Sequence, residues 1–195
     1  DELFKEFVSR GLEGIIAKDL KQPYVAGARK FAWIKLKKSY QGELADTIDA
    51  VIVGYYKGKG KRTQFGFGGL LCAVWDDKQR VFKTICRVGT GFTEEEMKEF
   101  AKLLSKISVK EKPKNVLSLV EPSVWVQPKV VVTLNADEVT KSPMHTCGMQ
   151  QVKEGETGLA LRFPRFMGMR KDKSPEQATT ETEVFEMLEL QKQRK

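Results

Sequence analysis

Polar and apolar positions along the 195-residue chain alternate between a helical and a strand period. At the start, Leu3, Phe4, Phe7 and Val8 recur at helical intervals and Gly11 supplies a stop, which predicts a helix over 2–10. Two strand-like pieces follow, "LEGIIAK" and "FAWIKLKKSY", joined by the turn-rich "DLKQPYVAGARK". From about Gln41 the texture becomes β-rich. "DTIDAVIVGYYKG", "FGFGGLLCAVWDD" and "RVFKTICRVG" read as strands separated by the turns "KGKGKR" and "DDKQR". "TGFTEEEMKEFAKLLSKI" reads as a helix, with Thr93 as N-cap, Glu96 completing a capping box, and Met97, Phe100, Ala101 and Leu104 on one face. "SVWVQPKVVVTLNADEVT" and "GLALRFPRF" are further strand segments, and a last helix begins near Ser174 or Thr182. A mainly β chain with about five short strands, and a helix between the third and fourth, has the layout of an OB-fold, a small Greek-key barrel.

Composition narrows the class. Hydrophobic residues make up 41% of the chain, enough for a packed core. The formal net charge of +8 favours a polyanionic partner, nucleic acid before membrane. No apolar run reaches transmembrane length, no signal peptide is evident, and the chain reads as soluble and intracellular. Cys72, Cys86 and Cys147 form no CxxC pair, and His145 with Cys147 supplies too few ligands for a zinc site. Starting at Asp1 in what reads as mid-helix, the chain has the look of a fragment.

Four segments could carry chemistry. In "WIKLKK", strand alternation puts Trp33, Lys35 and Lys37 on one face and Ile34 and Leu36 on a core face. Two lysines on one rigid face suit a phosphate, with Arg29 as a third cation; the plainer reading is a half-buried strand with solvated lysines. In "LEGIIAKDL", Glu13 and Lys18 fall on opposite faces, unless Glu13 precedes the strand or Gly14 forms a bulge. A carboxylate near lysines could hold Mg2+; a surface ion pair is the plainer alternative. "YKGKGKR" sets Lys57, Lys59, Lys61 and Arg62 among glycines, which suits phosphates or an ordinary solvated turn. "RFPRFMGMRKDKSPEQATT" interleaves cations with Phe163, Phe166, Met167 and Met169, too charged for a core strand and too apolar for a solvated tail. There, alternation groups Phe163 with Leu159 and Leu161, which favours burial, while Pro164 ends regular pairing and favours exposure.

In this order the segments resemble motifs of the ATP-dependent DNA ligases: "EGIIAK" is similar to motif IV, "WIKLKK" to motif V and "RFPRFMGMRKDKSPEQATT" to motif VI. The segments "ADTIDAVIVGYYKGKGKR", "FGFGGLL" and "VGTGFTEEE" resemble that family's linking regions, and "SPMHTCG" and "GLALRFPRF" resemble its archaeal replicative branch. The resemblance implies that residues 1–41 end an adenylation domain and 42–195 form an OB-fold domain. It implies ATP as AMP donor, Mg2+ held with Glu13, and Lys18 and Arg29 near the nucleotide. Lys35 and Lys37 would contact the α-phosphate, and Arg170, Asp172 and Lys173 would orient the pyrophosphate. Arg162 and Arg165 would contact nicked duplex DNA, with Phe163 in its minor groove.

The motif Lys-x-Asp-Gly, which carries that family's nucleophilic lysine, is missing from the chain. The resemblance therefore implies an enzyme of which this segment alone does not self-adenylate. A sliding clamp, if a partner, would engage regions outside this chain. The compartment would be the cytoplasm, at the nucleoid, for an archaeal protein and the nucleus for a eukaryotic one. Two alternatives stand beside this reading. A non-catalytic OB-fold nucleic-acid-binding module leaves Glu13, Lys35 and the Arg-x-Asp-Lys run without a role. An RNA ligase or capping-type nucleotidyltransferase shares motifs of this kind, but "PEQATT" and the long "RFPRF" run favour the DNA enzyme.

Overall fold

The computed structural model describes residues 2–23, 32–37, 44, 46–58, 60–153 and 155–193, with the backbone alone at Lys37 and Lys61. Arg29 and Lys59 lie outside the described residues. The chain divides into two compact units, Asp1–Glu43 and Leu44–Lys195.

The first unit holds helix α1 (Glu2–Ser9) and strands β1 (Gly14–Lys18) and β2 (Trp33–Lys37). β1 and β2 pair antiparallel, from Gly14 opposite Lys37 to Lys18 opposite Trp33, with no register shift. Glu13 therefore precedes the strand, and Gly14 forms no bulge, although its φ of 146° turns the backbone there. The sequence pattern puts Ile34 and Leu36 on a core face, and in this chain they are 47% and 43% exposed. Among the described residues, β1 and β2 form a two-stranded sheet, and α1 packs on β1 with Phe4 buried.

The second unit runs β3 (Ile48–Tyr56), β4 (Gly69–Asp76), β5 (Val81–Val88), α2 (Glu94–Ile107), β6 (Ser108–Val109), β7 (Val116–Leu117), β8 (Val124–Val126), β9 (Val131–Asn135), β10 (Glu138–Ser142), β11 (Gly158–Arg162), β12 (Arg165–Arg170) and α3 (Glu181–Gln193). Two 3-10 turns, Gly60–Phe65 and Pro175–Gln177, interrupt it. The sheet order β12-β9-β3-β4-β5 is that of an OB barrel. Closure runs from β5 through residues 146–147: the N–H groups of Thr146 and Cys147 both donate to the Thr84 carbonyl at 3.0 Å, and Cys147 bridges to Leu159 of β11.

Both faces of this sheet are covered, so β3 is buried continuously from Ile48 to Gly54 rather than alternately. Ile48, Ala50 and Ile52 face the barrel interior, while Val51 and Val53 join Leu71, Trp75, Phe82 and Trp125 on the other side. The helix α2 plugs the interior. Its Thr93–Glu96 capping box forms as the sequence predicts, and Met97, Phe100 and Leu104 are buried. Burial of each such side chain is worth roughly 1.5–3 kcal/mol. Phe92 stacks on Phe166 at 4.4 Å, and Phe100 meets Phe166 edge-on at 5.3 Å, tying the helix to β12. Gly91 is required at this crossing, since a Cβ there would lie 2.3 Å from the Phe166 carbonyl oxygen.

The single strand expected over "SVWVQPKVVVTLNADEVT" is three strands, β8, β9 and β10. Pro128 lacks an N–H for the ladder, and the chain turns again between Asn135 and Glu138. β11 and β12 are likewise separate, broken at Phe163, whose φ is 52°. Helix α3 begins at Glu181, with Thr180 and Glu183 capping each other reciprocally. Residues 60–65 form a 3-10 turn, so β4 starts only at Gly69.

Candidate functional site

In the first unit, residues opposite each other on the two strands share a face. The β1–β2 register thus brings Lys18, Trp33 and Lys35 to one side, with Ile16 opposite Lys35. The Lys18 ammonium sits 4.4 Å from the Trp33 ring centroid, a cation–π contact that holds Lys18 in place. Lys35 is exposed, as is Glu13 beyond the end of the ladder. Among the described residues no group of three or more His, Cys, Asp or Glu side chains gathers into a metal cluster. Glu13 could supply one oxygen ligand to Mg2+; phosphate oxygens and water would have to supply the rest.

In the second unit, motif-like residues far apart in sequence meet at Asp49. This β3 residue pairs directly with Thr133 of β9, whose hydroxyl donates to Asp49 Oδ1 at 2.6 Å. Asp49 Oδ2 accepts from Arg170 Nη1 at 2.9 Å and from Lys173 Nζ at 2.6 Å. Arg170 also donates through Nε and Nη2 to the two oxygens of Asp172, at 2.9 and 2.8 Å, a fork-to-fork pairing. Burial alone would raise the Asp49 carboxyl. Hydrogen bonds from Lys173 and Thr133, with the charges of Lys173 and Arg170, outweigh it and hold the group below its ordinary range. The Arg170 hydrogen bonds hold the Asp172 carboxyl down at about 2. The backbone of Asp49 is fixed as well: its N–H donates to Thr179 Oγ1, and its carbonyl accepts from the Thr179 N–H.

A second cluster surrounds the β11–β12 corner. Arg162 pairs with Glu138 at 2.8 Å, and Arg165 with Asp137 at 2.8 Å. Thr90 donates to the Pro164 carbonyl and accepts from the Phe166 N–H. Phe163 stands at the tip of this braced corner, 51% exposed, with the Arg162 guanidinium 5.1 Å from its ring centroid. Of the two readings of Phe163, burial by alternation and exposure by the break at Pro164, the structure shows exposure. A positive φ breaks the pleat, so the side chain no longer follows Leu159 and Leu161 inward.

The basic turn is less uniform than its composition suggests. The Arg62 guanidinium donates to the carbonyls of both Gly68 and Gly89 and so clips the turn to the end of β5. Lys57 is exposed. Away from these sites, Cys147 is buried in the core beside Leu159, and Cys72, Cys86 and Cys147 are all free thiols. His145 is mostly buried, with Nδ1 lacking a hydrogen-bond partner, and burial lowers its pKa to about 4.

Sequence reasoning found Arg170, Asp172 and Lys173 but not Asp49, Thr133, Asp137 or Glu138. An acidic residue inside an otherwise apolar run, "TIDAVIV", was the available signal for Asp49, since a buried carboxylate requires partners.

The fold and its ion-pair clusters define an OB-type module with a basic segment that runs from its last strand into the turn beyond. Residues 63–173 match the family model described as the ATP dependent DNA ligase C terminal region, and residues 1–37 match that of the ATP dependent DNA ligase domain. Among similar proteins, a probable DNA ligase of Dictyoglomus turgidum is 55% identical over 193 residues, 98% of this chain and 33% of that protein. A DNA ligase of Sulfolobus acidocaldarius is 44% identical over 196 residues, 100% of this chain and 32% of that protein. The ligase domain of LigD from M. tuberculosis superposes with a TM-score of 0.51 at 26% identity, over 90% of this chain and 50% of that one. The chain belongs to the ATP-dependent DNA ligase family. It spans about a third of the length of the curated relatives it matches.

Proposed function

We propose that the chain is the C-terminal third of an ATP-dependent DNA ligase, with residues 1–41 ending the adenylation domain and 42–195 forming the DNA-clasping OB domain. In the full-length protein, a lysine outside this chain attacks the α-phosphorus of ATP and pyrophosphate leaves. The 5′-phosphate at a nick in duplex DNA then takes the AMP, and the 3′-hydroxyl displaces it to close the strand. Lys35 and Lys37 neutralise the α-phosphate, with Lys18 and Arg29 beside the nucleotide. Glu13 contributes one ligand to Mg2+. Arg170, Asp172 and Lys173 face the pyrophosphate. Phe163 enters the minor groove, with Arg162, Arg165 and the lysines at 57, 59 and 61 on DNA phosphates.

The observation that carries this reading is the convergence of Arg170 and Lys173, within 2.9 Å and 2.6 Å of a single carboxylate oxygen, in a chain of this family. A guanidinium and an ammonium held so close suit the oxygens of a polyphosphate. The test is label transfer from α-labelled ATP with Mg2+. The full-length protein is expected to become labelled and to seal nicked duplex DNA, and the 195-residue chain alone to do neither. Labelling of the chain alone, or a full-length protein that neither labels nor seals, overturns the proposal.

A further inference from the structure

We propose that Asp49 is the positioning residue of the Arg170–Lys173 cation pair, holding the two groups in register for a polyphosphate while they bind it. What those cations act on rests on the ligase reading above; the geometry stands apart from it. Asp49 is 6% exposed and sits in the middle of a sheet buried on both faces. Thr133 holds one carboxylate oxygen, and Thr179 holds the backbone on both sides. The other oxygen takes both cations. Arg170 and Lys173 come from the end of β12 and the turn beyond it, and bare cations this close would repel. The anionic oxygen between them removes that repulsion and fixes their spacing.

A competing role is that Asp49 occupies the seat of the ligand and must be displaced. The geometry opposes it. If the cations left, a carboxylate would remain buried with only Thr133, which is costly. They also need not leave. Among the described residues, three of the five guanidinium N–H groups of Arg170 donate to Asp49 and Asp172, and one of the three N–H groups of Lys173 donates to Asp49. The remaining donors belong to side chains that are 35% and 32% exposed. Each cation therefore keeps N–H groups for an anion while Asp49 holds it from behind.

The experiment uses the full-length protein and the variants Asp49→Asn and Thr133→Val. Asp49→Asn keeps shape and an acceptor but loses the charge, and Thr133→Val releases the carboxylate. Two readouts apply. In the first, inorganic pyrophosphate is titrated into each protein by calorimetry. Asp49→Asn is expected to bind about tenfold more weakly, although it removes a negative charge from the site. Equal or tighter binding overturns the proposal, because a displaced or merely nearby carboxylate would give that result. In the second, self-adenylation is compared with the sealing of pre-adenylated nicked DNA, a step that releases no pyrophosphate. The kcat for self-adenylation is expected to fall roughly tenfold in Asp49→Asn and about threefold in Thr133→Val, with KM for ATP changed less. Sealing should stay within about twofold of wild type. Equal loss of both steps in a folded protein, or no loss of either, overturns the role. Should Asp49→Asn fail to fold, an unchanged Thr133→Val overturns it alone. A wild-type protein that binds pyrophosphate but neither adenylates nor seals refutes the ligase reading, and the binding comparison still decides the role of Asp49.

Discussion

The Lys83 ammonium lies 2.8 Å from the Asp76 carboxylate, with the two side chains only 2% and 3% exposed. It also pairs with Glu181 at 3.1 Å and donates to the Met149 carbonyl at 2.9 Å, so one buried cation ties β4 and β5 to the first turn of α3. Burial by itself would lower the pKa of Lys83, but Asp76 and Glu181 raise it above the usual lysine range. Asp76 is held below the usual carboxylate range, its burial outweighed by hydrogen bonds from Lys83, Gln79 and Lys78. Lys83→Met would leave Asp76 buried without its cation. The expected loss is about 3–5 kcal/mol in denaturant unfolding, the usual result of removing one partner of a buried pair. A loss below about 1 kcal/mol would show that the pair is exchangeable for packing.

His145 sets an acid limit on stability. Its folded pKa, near 4, lies below the 6.5 of an unfolded histidine, so in that interval the unfolded chain binds the extra proton. Stability from this group is complete above about pH 6.5 and is lost as pH falls toward 4, by at most about 3 kcal/mol. The depressed carboxylates Asp49 and Asp76 act lower, as pH falls through and below their ordinary 3.8. His145→Phe should flatten the melting temperature between pH 6.5 and 4 and leave the steeper fall at lower pH in place. An unchanged slope in that interval would place the buried proton linkage elsewhere.

Phe163 is exposed, so Phe163→Ala should change unfolding free energy by no more than about 0.5 kcal/mol. In the full-length protein the same change should lower nick sealing and leave self-adenylation intact if the ring enters the minor groove as proposed. A melting temperature several degrees lower, with sealing unaffected below it, would mean that the ring is structural.

Arg62→Ala should destabilise the second unit, because it removes the clip on the Gly68 and Gly89 carbonyls. The expected cost is about 1.5–3 kcal/mol, the range for hydrogen bonds to a charged group. With Arg62 engaged in the fold, the proposed DNA contacts of this turn fall to the lysines at 57, 59 and 61. Log affinity for duplex DNA should then fall against log salt with a slope of roughly −2.7, at −0.9 per phosphate. A slope near zero would exclude the turn as a phosphate-binding element.

Lys35→Ala tests the first unit. Lys35 is exposed on a two-stranded ribbon, so its removal should leave melting within about 0.5 kcal/mol of wild type. Self-adenylation of the full-length protein should fall about a hundredfold or more if the ammonium stabilises charge on the α-phosphate. Wild-type labelling by the folded variant would refute that placement.

Local chemistry by itself determined much of this protein. The α2 boundary follows from Thr93 and Glu96, which touch within one turn, and the β-rich texture follows from side chains whose strand preference is local. The shared face of Trp33 and Lys35 on β2 follows from backbone pleating alone. Only the tertiary structure decided three other matters. Asp49 meets Arg170 and Lys173 across 121 and 124 residues, a contact set by the β3–β9–β12 strand order and invisible to any short window. Phe163 faces outward because the chain turns through a left-handed residue where two strands part, and alternation cannot foresee a broken pleat. Ile34 and Leu36 carry the third: a strand pattern names the face to be covered, only packing supplies the cover, and the described residues of the first unit leave that face open.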